Sequence, residues 1–291
     1  MEEDGTLAEP RIIAPPPKSS DLWSRAASAI ALAVVAFGLA WAGVLPFAGL
    51  VLVVALVMSW EWCRVVRGEG IDICLIVQGL SIIAAVALAS FGFAALGVAV
   101  LLIGTIIVLA LEFGGHPILS AAGVGYAGLP AVALLWLRGD EPNGFHAVLF
   151  IVLVVAATDT AAYAFGRLIG GPRLAARISP NKTWSGLIGG ITTAGLAAGT
   201  FGYVIGSPVL GLAAAGVLMG LIAQAGDLAE SALKRAFNVK DASQLLPGHG
   251  GFMDRMDGLV TVAVAVALAA LFLDPQAPAS ALLAGLPIGG E

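Results

Sequence analysis

Gly226-Asp227-Leu228-Ala229-Glu230-Ser231-Ala232-Leu233-Lys234-Arg235 stands between two apolar runs, 209–225 and 258–273. The same polar stretch continues through Lys240-Asp241 and Pro247-Gly248-His249-Gly250-Gly251 to Asp254-Arg255-Met256-Asp257. Only 11% of the chain is charged, yet this window holds nine charged residues. Charges so close to apolar spans are expensive unless they are paired or line a wet cavity, which makes them a functional site by default. Asp227, Ser231 and Lys234 fall at i, i+4, i+7, one helix face, and Asp254 and Asp257 at i, i+3, again one face. Carboxylates and cations around a Gly-rich turn are what a Mg²⁺-assisted phosphate site needs: carboxylates for the metal, cations for phosphate oxygens, glycines for close backbone approach.

Working outward, the composition excludes an ordinary water-soluble domain. Hydrophobic residues make up 59% of the 291, and mean hydropathy is +0.98. Apolar runs of about 17–25 residues, the length that crosses a bilayer core, recur along the chain. Nine spans are expected, at 26–43, 45–63, 73–90, 93–113, 118–137, 146–165, 186–205, 209–225 and 258–273. The fold expected is therefore all-α, a polytopic integral membrane protein of about nine transmembrane helices. Turns as short as Ser90-Phe91-Gly92 and Gly206-Ser207-Pro208 make neighbouring helices antiparallel. The segment 279–288 is too short to cross. The chain divides into a polar, Pro-rich leader (1–25), N-terminal spans (26–140) and a C-terminal catalytic region (141–291). The leader cannot bury a core and reads as disordered and cytosolic. A signal peptide is not indicated.

The Lys/Arg distribution orients the spans. With the N-terminus inside, thirteen of the fourteen basic residues fall on the cytosolic side and only Arg138 falls outside. The loops 166–185 and 226–257 then share that face. Net charge of −5 says little, because a membrane protein sorts its charges by side. Cys63 and Cys74 show no metal-ligand spacing and read as small semi-buried side chains. No basic patch for nucleic acid is present.

The loop after the sixth span carries Gly170-Gly171-Pro172-Arg173 and Ser179-Pro180-Asn181-Lys182-Thr183, a basic, Gly-rich, hydroxyl-bearing mix that suits phosphate. Asp159, between Thr158 and Thr160 inside an apolar span, is placed on a polar cavity wall rather than against lipid. Glu61 and Glu112 end the second and fourth spans, where each can reach interfacial water. His116 and His146 are isolated. His249, among glycines, reads as a phosphate or nucleotide contact.

The run Ser231-x-Leu233-Lys234-Arg235-x₄-Lys240-Asp241-x-Ser243-x₂-Leu246-Pro247-x-His249-Gly250-Gly251-Phe252-x-Asp254-Arg255-x-Asp257 resembles the signature of the phosphatidate cytidylyltransferases, the CDP-diacylglycerol synthases. The likeness extends to Asp159 and to Ser179-Pro180-Asn181-Lys182-Thr183, although many of those enzymes carry Lys or Gly where this chain has Asn181. It covers most of the C-terminal half. The resemblance implies transfer of a cytidylyl group from CTP to phosphatidic acid, at a multi-pass inner-membrane site facing the cytoplasm, in a homodimer. It implies Asp227, Asp254 and Asp257 as ligands of one or two Mg²⁺ ions, and leaves open whether a monovalent cation assists. Lys234 would be catalytic. Ser231, Arg235, Lys240, His249, Arg255, Ser179, Lys182, Thr183 and Asp159 would contact substrate.

The alternative reading is an ion-coupled transporter with Asp159, Asp227 and Asp257 as a cation pathway. Clustering of the charges at one face, and no inverted repeat of interrupted helices, weigh against it. A CDP-alcohol phosphatidyltransferase is excluded because Asp257-Gly258-Leu259 does not continue into that family's Asp-Gly-x₂-Ala-Arg pattern.

Overall fold

The computed structural model describes residues 33–68, 71–112, 115–243, 245 and 250–286. The chain divides into two units, Met1–Gly38 and Leu39–Glu291. A short apolar helix, α1 (Ala33–Ala42), comes first. Then follow α2 (Val44–Arg67), α3 (Ile73–Ser90), α4 (Ala94–Leu111), α5 (Pro117–Arg138) and α6 (Gly144–Leu168). A small antiparallel hairpin, β1 (Arg173–Ala175) with β2 (Ser179–Thr183), precedes α7 (Trp184–Ile205), α8 (Val209–Ala236), α9 (Met253–Leu273) and α10 (Pro278–Leu283).

Eight helices among the described residues, α2 to α9, are long and apolar enough to cross a bilayer. The protein is an all-α polytopic membrane protein. The first expected span begins outside the described residues, and its described part is α1. The leader 1–25 also lies outside them. The six-residue α10 is too short to cross, as its sequence implies.

Two boundaries differ from the hydropathy reading in a way that matters. The eighth helix does not stop at 225 but runs to Ala236, and the ninth starts at Met253 rather than 258. Charged residues end an apolar window, but Ala, Leu, Glu, Lys and Arg are all good helix formers, so the helix continues through them. Asp227, Glu230, Ser231 and Lys234 are therefore helical, as their spacing requires.

Two groups of helices pack side by side: α2 to α5, and α6 to α8. α9 joins them, lying against α8 on one flank and α5 on the other. α5 is the most enclosed element, with 67% of its apolar window buried against 22% for α4. The outer surface carries bare apolar side chains such as Leu102, Ile106, Tyr203 and Phe272. In a bilayer these face acyl chains, and helix association rests on close packing instead of on apolar burial. Small residues provide that packing around α7. A Cβ on Gly186 would stand 2.7 Å from the Ala162 carbonyl of α6, and one on Gly216 2.7 Å from the Ala194 carbonyl of α7. α6, α7 and α8 thus come together almost backbone to backbone.

Candidate active site

The cavity of about 360 Å³ at the end of the bundle where α6 and α8 finish and α9 begins is walled by five parts of the chain. α6 supplies Asp159 and Tyr163, the hairpin Ser179, Asn181 and Lys182, and the start of α7 Gly186 and Leu187. α8 supplies Gln224, Asp227 and Lys234, and α9 supplies Asp254, Arg255 and Asp257.

Local structure explains these positions. Thr183 ends β2 and caps α7, its Oγ1 accepting from the Gly186 N–H at 3.1 Å. That cap turns the chain sharply and leaves Lys182 aimed at α8. Its Nζ lies 2.7 Å from Asp227 Oδ2 and within 3.4 Å of both the side-chain and backbone oxygens of Gln224. Gln224 in turn donates to Asp159 Oδ1 at 3.4 Å. One polar chain therefore runs from hairpin to α8 to α6. Ser231 Oγ donates to Asp227 Oδ1 at 3.4 Å, one turn along α8.

On the α9 side, Lys234 is buried and ion-paired with both Asp254 Oδ1 and Glu230 Oε1, the latter at 3.0 Å. Asp254 Oδ2 accepts from the backbone N–H groups of Gly251 (2.8 Å) and Ala242 (3.2 Å). Asp257 Oδ1 accepts from the N–H of Gly258 at 2.8 Å. Asp257 interacts electrostatically with Asp227, Asp159 and Glu230, and Asp159 with Asp227. α8 and α9 approach this closely because Gly226 offers no side chain: a Cβ there would stand 2.3 Å from Thr261 Oγ1 and 2.9 Å from the Asp257 carbonyl.

Of the residues singled out from sequence, Asp159, Ser179, Lys182, Thr183, Asp227, Lys234, Asp254, Arg255 and Asp257 line this one cavity. Ser231 stands behind Asp227. Two cations do not belong to it. Arg235 donates to the backbone carbonyls of Val239 (3.0 Å) and Ile178 (3.4 Å), tying the end of α8 to the hairpin loop. Lys240 is exposed, beyond the point where Asn238, at φ 56°, turns the chain out of the helix. His249 lies outside the described residues. Lys234 is ion-paired within the acidic wall, and Thr183 caps α7.

Two participants escaped the sequence reading. Gln224 is the only polar side chain in the apolar part of α8 and sits three residues before Asp227, on the same face; that spacing was the available signal. Glu230 is 3% exposed; Lys234 reaches its Oε1 at 3.0 Å, and its Oε2 accepts no hydrogen bond among the described residues. Its place four residues before Lys234 was visible, but its burial was not.

The tightest grouping of metal-ligating atoms among the described residues lies elsewhere, where Asp72, Cys74 and Glu112 come within 4.8 Å of one another. Arg67 already fills it, 2.8 Å from Asp72 and 3.8 Å from Glu112. Cys63 and Cys74 are free, buried thiols.

Residues 23–273 match the sequence model of the cytidylyltransferase family. A phosphatidate cytidylyltransferase of Brucella suis biovar 1 (strain 1330) is 42% identical over 279 residues, 90% of this chain and 98% of the relative. One of Brucella abortus (strain 2308) is 42% identical over 275 residues, 88% and 96% of the two chains. One of Staphylococcus haemolyticus (strain JCSC1435) is 38% identical over 141 residues, 48% of this chain and 53% of the relative. With its match spanning nearly all the membrane helices and the whole charged cavity, this chain belongs to the cytidylyltransferase family.

Proposed function

We propose that the protein transfers the cytidylyl group of CTP to phosphatidic acid, forming CDP-diacylglycerol and pyrophosphate at the cytosolic face of the inner membrane. The observation that carries this reading is the carboxylate- and lysine-walled cavity at the end of the helix bundle, in a chain 42% identical to proteins bearing that name. A lipid headgroup can enter such a site from the membrane side and a soluble nucleotide from the water side.

The chemistry asks little of the protein in the way of proton transfer. A phosphate oxygen of phosphatidate is already anionic and attacks the α-phosphorus of CTP in line. The bond from that phosphorus to the bridging oxygen breaks, and pyrophosphate leaves with the electron pair. Positioning and charge neutralisation carry such a reaction. Lys182 and Arg255 neutralise phosphate oxygens, and Ser179 donates to them. Lys234 holds Glu230 and Asp254 in place.

A divalent cation fits the donor set. Among the described residues, Asp159, Asp227, Glu230, Asp254 and Asp257 are grouped with Lys182, Lys234 and Arg255, leaving a formal deficit of two positive charges. Glu230 Oε2, buried and accepting no hydrogen bond among the described residues, makes that deficit concrete. Mg²⁺ is the expected ion, with Asp227 and Asp257 as its holders and Asp159 beside them. When bound it supplies the positive charge that polarises the reacting phosphate and steadies the leaving group.

The test is product formation from radiolabelled CTP and phosphatidate, with purified protein in detergent and no ion gradient. Labelled CDP-diacylglycerol that disappears on chelation and returns with Mg²⁺ is expected. No labelled lipid at any divalent concentration would overturn the reading.

A further inference from the structure

We propose that Glu61, far from the cavity in sequence and outside its lining, is a positioning residue that caps α9 in trans and sets where Asp254 and Asp257 stand. The inference rests on the reaction proposed above.

Glu61 lies near the end of α2 and is 0% exposed, not at an interface with water as its place in the sequence implies. No Lys or Arg pairs with it among the described residues. A buried carboxylate left alone costs several kcal/mol, so its partners show what it is for. Oε1 accepts from the Phe252 N–H at 2.9 Å and Oε2 from the Met253 N–H at 2.6 Å. Oε1 also accepts from the hydroxyl of Ser243. The first N–H groups of a helix have no partner within it, and the helix dipole favours a negative charge there. α9 has no side-chain cap of its own, since Phe252 holds the capping position and makes no capping bond. Glu61 supplies that cap from 191 residues away.

The geometry links this cap to the reacting groups. Asp254 follows Met253 directly, and Asp257 comes one turn later. Ser243 lies near the middle of the segment between α8 and α9 and Phe252 at its end, so one carboxylate fastens both. Gly251 is packed so tightly on it that a Cβ there would stand 2.7 Å from Glu61 Oε1.

The experiment uses the full chain in detergent, with two variants. Glu61→Gln sets an NH₂ group against backbone donors. Gly251→Ala keeps the carboxylate but pushes it off the helix. For both, kcat is expected to fall roughly 100-fold, the cost of about an ångström of misplacement. KM for phosphatidate should stay within roughly threefold, because the loss falls on the transition state and not on uniform binding. Amide exchange should quicken at Phe252 and Met253 while α5 and α6 keep wild-type protection. Wild-type kcat in a folded variant would overturn the proposal, and so would loss of kcat with exchange raised throughout α5 and α6. If Glu61→Gln is not recovered folded, the result for Gly251→Ala decides. If wild-type protein makes no CDP-diacylglycerol, the proposed reaction fails, while exchange at Phe252 and Met253 still reports whether Glu61 holds α9.

Discussion

Lys182 Nζ lies 2.7 Å from Asp227 Oδ2, so the hairpin and α8 are joined across the cavity by one ion pair. The lysine is 15% exposed and the aspartate 33%, a setting where the pair is neither fully wet nor fully dry. Removing one charge leaves the other uncompensated beside more carboxylates. Lys182→Met is expected to lower CDP-diacylglycerol formation by roughly 10²–10³-fold, the usual cost of losing one preorganised electrostatic contact. Asp227→Asn should do at least as much. The double variant should fall no further than the worse single one, because residues acting as a unit are not additive. Additive losses would mean that the two residues work independently.

Gly226 decides how near α8 comes to α9. In Gly226→Ala the new methyl meets Thr261 and the Asp257 carbonyl, and the helices must part. Overpacking of this kind costs about 1–3 kcal/mol. A lower melting temperature in detergent is expected together with loss of product, since the same displacement separates Asp227 from Asp257. Adding Thr261→Ala removes the side-chain half of the clash and should restore part of both. Rescue of stability without activity would show that the spacing of the carboxylates is not what the glycine protects.

The helical faces of α8 and α9 were legible because charge recurring every three or four residues in an apolar background admits few readings. Asp159 was legible for a related reason: a carboxylate between two threonines in a span has nowhere cheap to go but a cavity. That Arg235 and Lys240 stand outside the cavity lining was not legible, because charge marks a residue as polar without saying which way its side chain turns at a helix end. Glu61 was beyond reach, since its partners are backbone N–H groups 191 and 192 residues away, which leave no trace in side-chain pattern. The hairpin was read as a loop because five residues of Ser-Pro-Asn-Lys-Thr carry no strand periodicity.

Asp72 precedes α3 and lies outside the spans. Burial pushes its carboxyl up, but the Leu75 N–H and the Arg67 guanidinium more than offset this and hold it below its ordinary value of 3.8. A folded carboxyl of lowered pKa adds stability above the unfolded value and loses it as pH falls through the folded one. The side chain is 44% exposed, so screening keeps the contribution below about 1 kcal/mol. Asp72→Asn keeps an oxygen to cap Leu75 and removes only the charge. Its melting temperature should fall slightly below wild type at neutral pH and converge with it well below pH 3.8. A difference that persists in acid would assign the effect to the cap.

Asp254 and Asp257 look alike in sequence but stand in opposite surroundings. Asp254 is engaged on both oxygens, by Lys234 on one and by two backbone N–H groups on the other. Asp257 faces Asp227 and Asp159, both of its own sign. Neutralising the first breaks a buried pair, which costs about 3–5 kcal/mol because the remaining charge is stranded. Neutralising the second relieves repulsion. Asp254→Asn is therefore expected to melt well below wild type, with activity lost as the loop loosens. Asp257→Asn should melt at or above wild type and yet form no product at any Mg²⁺ concentration. Thermal unfolding and a Mg²⁺ titration of CDP-diacylglycerol formation, run on the same preparations, separate the two. If Asp257→Asn kept its turnover, the acidic wall would be structural, and the cation would have to be held by other residues.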